Sequence, residues 1–522
     1  MRYKPERCAD TQHSIPDIAV IAALQSAREK TGENIMSCST LLVGKKASYD
    51  GSTMIARTDD GHFDVKKLTV VRPEDQPRTY KTVTSHLEIE LPEHPLRYTS
   101  TPNVDPSKGI WAANGINEAN VGMTATETIS SNPRVMGADP MVVYRPAGAE
   151  QPEIPGGIGE EDMVVIVLPY IRSAREGVLR LGALLEQYGT YECNGIAFND
   201  ADEIWWMETI GGHHWAARRV ADETCVFVPN QFGMDGFDFE DAFGAQKDCL
   251  CSADLRSFME RNFLDLNTDG CFNTRRVFGS QTDFDHIYNT PRAWYVGRYL
   301  NPTRYKWDGE DADFSPESDD IPWSFIPERK IAVEDVAYLL STHYQGTPYD
   351  PYSAVAQKHG LYRPIGISRT GVTAICQIRG YLPERIQAVE WVCFGSTTFG
   401  AFVPVYANTD SIPPYLSAVT EDVSTDNYYW NSRLIGAFAD ANYGSALMQI
   451  ERYQMRVATG GHRLLNEYDP RIMEEGGEAL IGEANEKLCE MARKETTVCL
   501  NRVLLTASEH MKNGFNRSDM TL

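Results

Sequence analysis

The segment that decides the fold is residues 38–60, which read CSTLLVGKKASYDGSTMIARTDD. Two apolar runs, STLLV at 39–43 and TMIAR at 53–57, flank the dipeptide Asp50-Gly51. Asp-Gly between such runs is a strong signal for a tight turn, so the segment predicts a β-hairpin. Folding the chain at this turn places roughly residues 59–63 opposite the first residue of the segment.

This hairpin predicts that three reactive side chains lie close together. Asp60 falls beside Cys38, and Arg57 lies within side-chain reach along the returning strand. An adjacent cation lowers the pKa of a thiol and makes it a better nucleophile. Taken alone, however, the hairpin favours a simpler interpretation, in which Cys38 is a small buried hydrophobe and Arg57 and Asp60 form a surface pair.

Beyond the hairpin, the sequence predicts short strands and helices separated by loops. Strands are predicted over residues 116–126, 195–198, 203–208, 215–220, 372–379, 389–394 and 398–404. Helices are predicted over 173–188 and 331–342 and from 427 onward, and 305–330 is predicted to be a surface loop. Short turns within 195–220 indicate an antiparallel meander, so the fold class is α+β with a helical C-terminal part.

Composition excludes several classes of partner. The 522 residues include 49 Lys and Arg against 73 Asp and Glu, a net charge of −24. This balance argues against nucleic acid as the main partner and against an anionic membrane surface. The 11 cysteines are odd in number and scattered, which indicates reduced thiols rather than a disulfide framework.

Targeting signals are weak. No apolar run reaches the roughly 18 residues of a membrane span. Residues 18–24 are apolar and follow basic residues, but no small-residue cleavage site comes after them. The sequence therefore predicts a cytoplasmic protein.

No motif predicts a metal or an organic cofactor. The cysteines of Cys249-Leu-Cys251 and the pair His213-His214 stand alone, and adjacent residues of a strand point to opposite faces. The sequence contains no phosphate-binding loop, no convincing dinucleotide fingerprint and no G-x-S-x-G nucleophile elbow.

Residues 38–60 resemble the start of the C69 dipeptidases of the PepD type. These enzymes are N-terminal nucleophile (Ntn) hydrolases, related to choloylglycine hydrolases and penicillin V acylases. The family pattern is C-T-x-x-x-V-G-x-x-A-[ST]-x-D-G-[ST] followed by A-R-x-x-D, and Ser39 departs from it because Thr is commoner there. Further matches are the runs at 115–118, 125–128, 228–231 and 368–370, so the resemblance covers most of the chain.

The resemblance implies an architecture and a set of domains. It implies a four-layer αββα Ntn-hydrolase core with antiparallel sheets over residues 38–430 and a helical region over 431–522. Residues 1–37 would be an N-terminal extension or propeptide. Because the nucleophile of this class is the first residue of the mature chain, either a propeptide is removed before Cys38, or translation starts at Met36 and Ser37 is then removed.

The resemblance also implies a role for each residue of the hairpin site. Cys38 would be the nucleophile and its own α-amino group the general base, since such a group has a pKa near 7.7–8.0. Arg57 would stabilise the thiolate. Asp60 would accept hydrogen bonds from the amine and orient it.

Three residues outside the hairpin are implied by the same resemblance. Asn117 and Asn230 would help to form the oxyanion site and hold the substrate, and Arg369 matches the second arginine of the related acylases. Without the family, both asparagines would be interpreted as turn or strand-edge hydrogen-bonding residues.

The expected activity is hydrolysis of dipeptides through a thioester, without a metal or organic cofactor. The expected substrates are small peptides and the expected assembly is a homo-oligomer. Three alternatives remain open at this stage: an acylase-type amidase on the same core, a non-catalytic binding or scaffolding member of the family, and a metallopeptidase.

Overall fold

The computed structural model describes residues 37–61, 64–270 and 272–511. The predicted extension or propeptide therefore lies, except for Ser37, outside the described residues. None of the helices in the described ranges has both the length and the apolar character needed to cross a membrane.

The predicted hairpin is confirmed. Strand β1, Ser37–Val43, pairs antiparallel with β2, Thr53–Asp60. Gly51 has a φ of +88°, which a residue without a side chain adopts at little cost. The register sets Asp59 opposite Cys38 and Asp60 opposite Ser37, so the carboxylate directly across from the cysteine belongs to Asp59.

The hairpin lies in the middle of a larger antiparallel sheet. Within the described residues this sheet has seven strands in the order β14-β12-β1-β2-β15-β16-β17. The other five strands are β12 (Cys225–Val228), β14 (Ser324–Phe325), β15 (Val372–Ile378), β16 (Ala388–Phe394) and β17 (Val403–Tyr406). The strand predicted over 398–404 thus begins only at Val403, and Phe399 and Gly400 lie in the turn that precedes it.

A second antiparallel sheet contains six strands in the part of the chain that is described, in the order β13-β11-β10-β9-β8-β7. These are β7 (Asn114–Ile116), β8 (Gly122–Thr128), β9 (Asn194–Asn199), β10 (Ile204–Ile210), β11 (His214–Val220) and β13 (Cys249–Cys251). The predicted meander is confirmed. Residues 116–126 are not one strand, because the Asn117 side chain accepts hydrogen bonds from Ala119 N and Val121 N and closes a turn.

Smaller two-stranded sheets occupy the region before β7. They pair β3 (Thr69–Val71) with β6 (Tyr98–Ser100) and β4 (Thr79–Lys81) with β5 (Glu88–Glu90). Short 3-10 turns cover Pro73–Asp75, Pro106–Lys108 and Leu168–Tyr170.

The two large sheets face each other across an apolar interior. Leu42 and Ile55 of the first sheet belong to the same buried cluster as Ala197 and Trp206 of the second. Burial of this apolar surface is the main force that holds the sheets together. The observed mixture of helices and antiparallel sheets confirms the α+β class.

Helices cover the outer faces of the sheets. The helices before residue 300 are α1 (Pro133–Ala138), α2 (Met163–Val167), α3 (Ala174–Tyr188), α4 (Phe239–Ala242), α5 (Leu255–Arg261), α6 (Thr274–Val277), α7 (Asp283–Tyr288) and α8 (Thr290–Leu300). Helix α3 begins one residue later than predicted, because the Ser173 side chain caps its first turn, and it ends as predicted before Gly189. Its buried Leu181 and Leu185 pack in one cluster with Trp205 of β10.

The C-terminal part is helical, as predicted. The later helices are α9 (Val333–Leu339), α10 (Glu384–Gln387), α11 (Pro414–Ser417), α12 (Tyr428–Asp440), α13 (Tyr443–Glu475) and α14 (Glu478–Glu509). Helices α12, α13 and α14 bury Tyr428, Ile450 and Ala492 against Val392 and Val403 of the first sheet.

The segment 305–330 differs from its prediction as a surface loop. Trp307, Ile321 and Trp323 are buried, and Ser324–Phe325 pairs with β12. The lack of periodicity in this segment concealed its apolar anchors, since irregular backbone can still bury large side chains.

Candidate active site

Cys38 and Arg57 are brought into direct contact, as predicted. Arg57 lies opposite Thr40, two residues along β1 from Cys38, so both side chains point to the same face. Arg57 Nη2 donates to Cys38 Sγ at 2.8 Å. Both residues are buried in the space between the sheets, Cys38 completely.

The same guanidinium also contacts an acid that the sequence did not indicate. Arg57 Nη2 donates to Glu160 Oε1, and Nη1 donates to the main-chain oxygen of Ala125 at 3.0 Å. Glu160 lies in the loop before α2 and is as buried as Arg57. Arg57 therefore joins the thiol to a buried carboxylate.

The side chain of Asp59, rather than that of Asp60, lies on the same face of the sheet as Cys38. Its Oδ2 pairs with Lys66 Nζ at 2.8 Å, and Lys66 also donates to Trp111 O at 2.7 Å. Although burial alone would raise the pKa of Asp59, the charges of Lys66 and Arg57 lower it below its usual range. Asp59 is therefore ionised beside the cysteine.

The environment of Cys38 does not by itself make a thiolate. Burial raises the pKa of the Cys38 thiol well above its usual value, and the nearby charge of Arg57 opposes that rise. The carboxylates of Glu160, Glu127 and Asp59 raise it further. Removal of the thiol proton therefore requires a base.

Asn230 contacts the main-chain nitrogen of the cysteine. Its Oδ1 accepts from Cys38 N at 3.2 Å and from Arg292 Nη2 at 2.8 Å. Its Nδ2 donates to Thr128 O at 2.8 Å. The asparagine is thus in the site, with the oxygen of its amide turned to the nitrogen that would become the α-amine.

Arg292 of α8 is a site residue that the sequence did not predict. Its Nη1 donates to Cys38 O at 2.5 Å and to Ser39 Oγ at 2.7 Å. Burial lowers the pKa of Arg292 to about 10, and the charge of Arg363 acts in the same direction. No local pattern could identify this residue, because it is separated from Cys38 by 254 positions and meets it only in the folded chain.

Glu127 supports the same region from β8. It accepts from Thr40 Oγ1 at 2.7 Å and from Asn230 N at 2.7 Å. Burial raises the pKa of Glu127 to about 7, although Arg292 opposes this rise. The run 125–128, one of the segments that resemble the family, therefore supplies a contact to Asn230.

Asp60 and Arg369 are in contact at the end of β2, the strand that pairs with β1. The Asp60 carboxylate accepts from Thr370 Oγ1 at 2.6 Å and pairs with Arg363. Arg369 Nη1 donates to the main-chain oxygen of Asp60 at 3.0 Å, and its Nη2 donates to Tyr288 Oη at 2.8 Å. Asp60 lies opposite Ser37 in the ladder, one position before the cysteine.

Asn117 is engaged elsewhere. Its Nδ2 donates to the main-chain oxygens of Leu168 and Ile171 at 2.9 and 2.8 Å, while its oxygen closes the turn between β7 and β8. None of its hydrogen bonds within the described residues reaches Cys38. The oxyanion role of Asn117 therefore stays a prediction, and its contacts match the turn interpretation.

One group of side chains has the composition of a metal site. Oxygen atoms of Asp59 and Glu160 and the sulfur of Cys38 all lie within 4.8 Å of one another. Arg57 already donates to the sulfur and to Glu160, and Lys66 already pairs with Asp59. Because these two side chains supply the positive charge, the group fits an arginine-bound thiol better than a metal centre.

Comparison with known proteins shows which family the chain is similar to. The model of peptidase family C69 matches residues 37–456. The chain is 49% identical over 532 residues to a dipeptidase of Bifidobacterium longum (strain NCC 2705), covering 93% of this chain and 100% of that protein. It is 49% identical over 492 residues to a probable dipeptidase A of Streptococcus pyogenes serotype M18 (strain MGAS8232), covering 92% and 98%. It is 40% identical over 477 residues to dipeptidase A of Lactobacillus helveticus, covering 90% and 96%.

Proposed function

The chain belongs to peptidase family C69, and we propose that it is a dipeptidase whose nucleophile is Cys38. The single observation that carries this proposal is the 2.8 Å contact between Arg57 Nη2 and Cys38 Sγ inside the buried space between the sheets. A guanidinium beside the sulfur stabilises negative charge as the thiol loses its proton.

The base is the α-amino group that Cys38 gains when the residues before it are removed. Burial makes the thiol difficult to ionise, so a proton acceptor close to the sulfur is needed. An α-amino group with a pKa near 7.7–8.0 is suited to this transfer at neutral pH. The 3.2 Å hydrogen bond from Cys38 N to Asn230 Oδ1 supports a role for this asparagine in orienting that group.

Hydrolysis then proceeds in two steps. Cys38 Sγ attacks the peptide carbonyl carbon while its proton moves to the α-amino group, and the C–N bond breaks as that proton passes to the leaving amino acid. Water next attacks the thioester, its oxygen stays on the released carboxylate, and a proton returns to the sulfur.

The proposal extends to the whole chain. Residues 1–37 are an N-terminal extension or propeptide that the active chain lacks, 38–430 form the peptidase domain and 431–522 form a helical region. The two facing sheets and their outer helices correspond to the four-layer αββα core of Ntn hydrolases. The mature protein is a cytoplasmic homo-oligomer.

A panel of substrates tests the assignment. Free dipeptides, N-acetylated dipeptides, tripeptides, and the amides of bile salts and penicillin V are compared by kcat/KM. We expect turnover of free dipeptides and a loss of about 100-fold or more on acetylation or on addition of a third residue, since a buried site rejects a group that leaves its charges unpaired. Preference for acylated amides would replace the dipeptidase with an acylase.

A further inference from the structure

Two carboxylate oxygens next to Cys38 have no hydrogen-bond partner within the described residues. They are Glu160 Oε2 and Asp59 Oδ1, both completely buried. Asp59 Oδ1 is 3.9 Å from Arg57 Nη2, too far for a hydrogen bond. A buried carboxylate oxygen without a donor costs free energy, so each oxygen is a vacant acceptor for a ligand with N–H groups.

The position of these acceptors matches one atom of a dipeptide. The α-nitrogen of a dipeptide lies two bonds, or about 2.5 Å, from the scissile carbonyl carbon. A sulfur poised for attack lies about 3–3.5 Å from that carbon. The α-nitrogen therefore comes within about 4–6 Å of the sulfur, and one carboxylate oxygen each of Asp59 and Glu160 lies within 4.8 Å of Cys38 Sγ.

The burial of Glu160 favours a cation in this place. Arg57 and Lys66 are balanced by Asp59 and Glu160 while Cys38 carries its proton. In the proposed mechanism the thiol proton passes to the α-amino group of Cys38, so formation of the thiolate leaves the total charge of the site unchanged. Burial raises the pKa of Glu160, despite Arg57, so an additional cation would help to keep this carboxylate ionised.

We infer that Glu160, with Asp59 beside it, binds the α-ammonium group of the substrate and so restricts the enzyme to peptides with a free amino terminus. This inference rests on the proposed dipeptidase function. Removal of Ser37, which the proposed maturation includes, vacates the ladder position that precedes Cys38 and lies opposite Asp60.

The test compares two substrates that differ in one group. L-alanyl-L-alanine carries the α-ammonium, and propionyl-L-alanine has a hydrogen atom in its place. In the mature wild type we expect kcat/KM to favour alanyl-alanine by about 100-fold or more, the value of a charged hydrogen bond in a buried site. In Glu160→Gln this ratio should fall by at least about tenfold, because turnover of alanyl-alanine decreases more than that of propionyl-alanine.

Glu390→Gln is the matched control. Glu390 is equally buried, its Oε2 also has no hydrogen-bond partner in the described part of the chain, and its Oε1 accepts from Asn114. This variant should keep the wild-type ratio. Glu160→Asp, which retains the charge, should keep most of the preference, whereas a purely structural role for Glu160 would leave the ratio the same in every folded variant.

A second measurement applies if Glu160→Gln turns over neither substrate. The rate at which iodoacetamide alkylates Cys38 is followed with and without each ligand. Wild-type protection should be stronger with alanyl-alanine than with propionyl-alanine, and this difference should disappear in Glu160→Gln. An unchanged ratio or unchanged protection in Glu160→Gln overturns the inference alone. A wild type that prefers acylated amides overturns the proposed function itself.

Discussion

Arg57 is the side chain on which the proposed chemistry of the site depends most. One nitrogen of its guanidinium contacts both the Cys38 sulfur and Glu160, while the other contacts Ala125 O. This arrangement positions a positive charge at the sulfur and at the same time compensates a buried acid. Loss of Arg57 would therefore affect the reactivity of the thiol and the stability of the fold together.

The first prediction concerns the sulfur. Cys38→Ala should lower dipeptide turnover to about the uncatalysed background, since the proposed acyl-enzyme forms on the Cys38 sulfur. The matched control is Cys225→Ala, because Cys225 is an equally buried cysteine of the neighbouring strand β12. Steady-state assays measure dipeptide turnover by both variants, and thermal unfolding shows whether they are folded. Substantial turnover by folded Cys38→Ala would show that another nucleophile acts.

The second prediction concerns the pKa of the thiol. A positive charge favours the thiolate, so removing it in Arg57→Gln should raise the already elevated pKa of Cys38 and shift the alkylation profile to higher pH. Arg57→Lys keeps the charge and should lie between wild type and Arg57→Gln. The measurement is the rate of iodoacetamide alkylation of Cys38 as a function of pH.

Arg57→Gln should also reduce kcat/KM by about 100-fold or more. It should lower the free energy of unfolding by about 3–5 kcal/mol, because Glu160 loses its buried partner. An unchanged alkylation profile in a folded Arg57→Gln protein would contradict the assigned role.

Strand geometry explains which of these residues the sequence could predict. Cys38 and Arg57 follow from a hairpin with a recognisable turn, since alternation places both on one face. A register that differs by one residue places Asp59 rather than Asp60 on that face. Glu160 and Arg292 carry no such local signal, because only the tertiary fold brings their elements to Cys38.

Secondary-structure elements with clear boundary residues were predicted well. Helix α3 has a capping serine, regular apolar spacing and a final glycine, and all three local signals agree. The prediction of a single strand over 116–126 is wrong. The small residues of this segment fit a strand, but the side-chain hydrogen bonds of Asn117 close a turn inside it. The burial of Trp307 and Trp323 could not be predicted either, because they lie in an irregular segment whose apolar residues show no periodic spacing.

The third prediction concerns the break between α13 and α14. Gly476 has φ +66° and ψ 176°, a conformation almost restricted to glycine. Gly476→Ala should therefore lower the free energy of unfolding by about 1–3 kcal/mol, although the added methyl group would meet no atom within 4 Å.

Gly482 is the matched control for this prediction. It lies inside α14, and a methyl group added there also meets nothing within 4 Å. Gly482→Ala should raise the free energy of unfolding by up to about 1 kcal/mol, since alanine is the better helix former. Chemical denaturation of both variants measures the two values. Equal effects of the same sign would contradict the backbone explanation.

The whole molecule is organised around the space between two antiparallel sheets. The hairpin with Cys38 lies inside the first sheet, between β12 and β15, so the sulfur is enclosed by elements from distant parts of the chain. The sequence predicted the hairpin strands, the meander of β9 to β11, the pair β15 and β16, and the α+β class. It could not predict the strand order, because the pairing of β1 with β12 depends on contacts far apart in the sequence.

Removal of the residues before Cys38 is the change to the whole molecule on which the proposed chemistry depends. The thiol is buried and its pKa is raised, so the proposed mechanism relies on the α-amino group that a chain beginning at Cys38 possesses. In the described structure Ser37 continues β1 beyond the cysteine and pairs with Asp60. Activity and amino-terminal processing should therefore appear together.

The most direct measurement is the intact mass and amino-terminal sequence of active enzyme before and after inactivation by iodoacetamide. We expect a chain that begins at Cys38, and loss of activity should accompany the addition of one carbamidomethyl group to that residue. Full activity in a chain that still carries Met36 and Ser37, or inactivation without alkylation of Cys38, would contradict the assignment of Cys38 as an amino-terminal nucleophile.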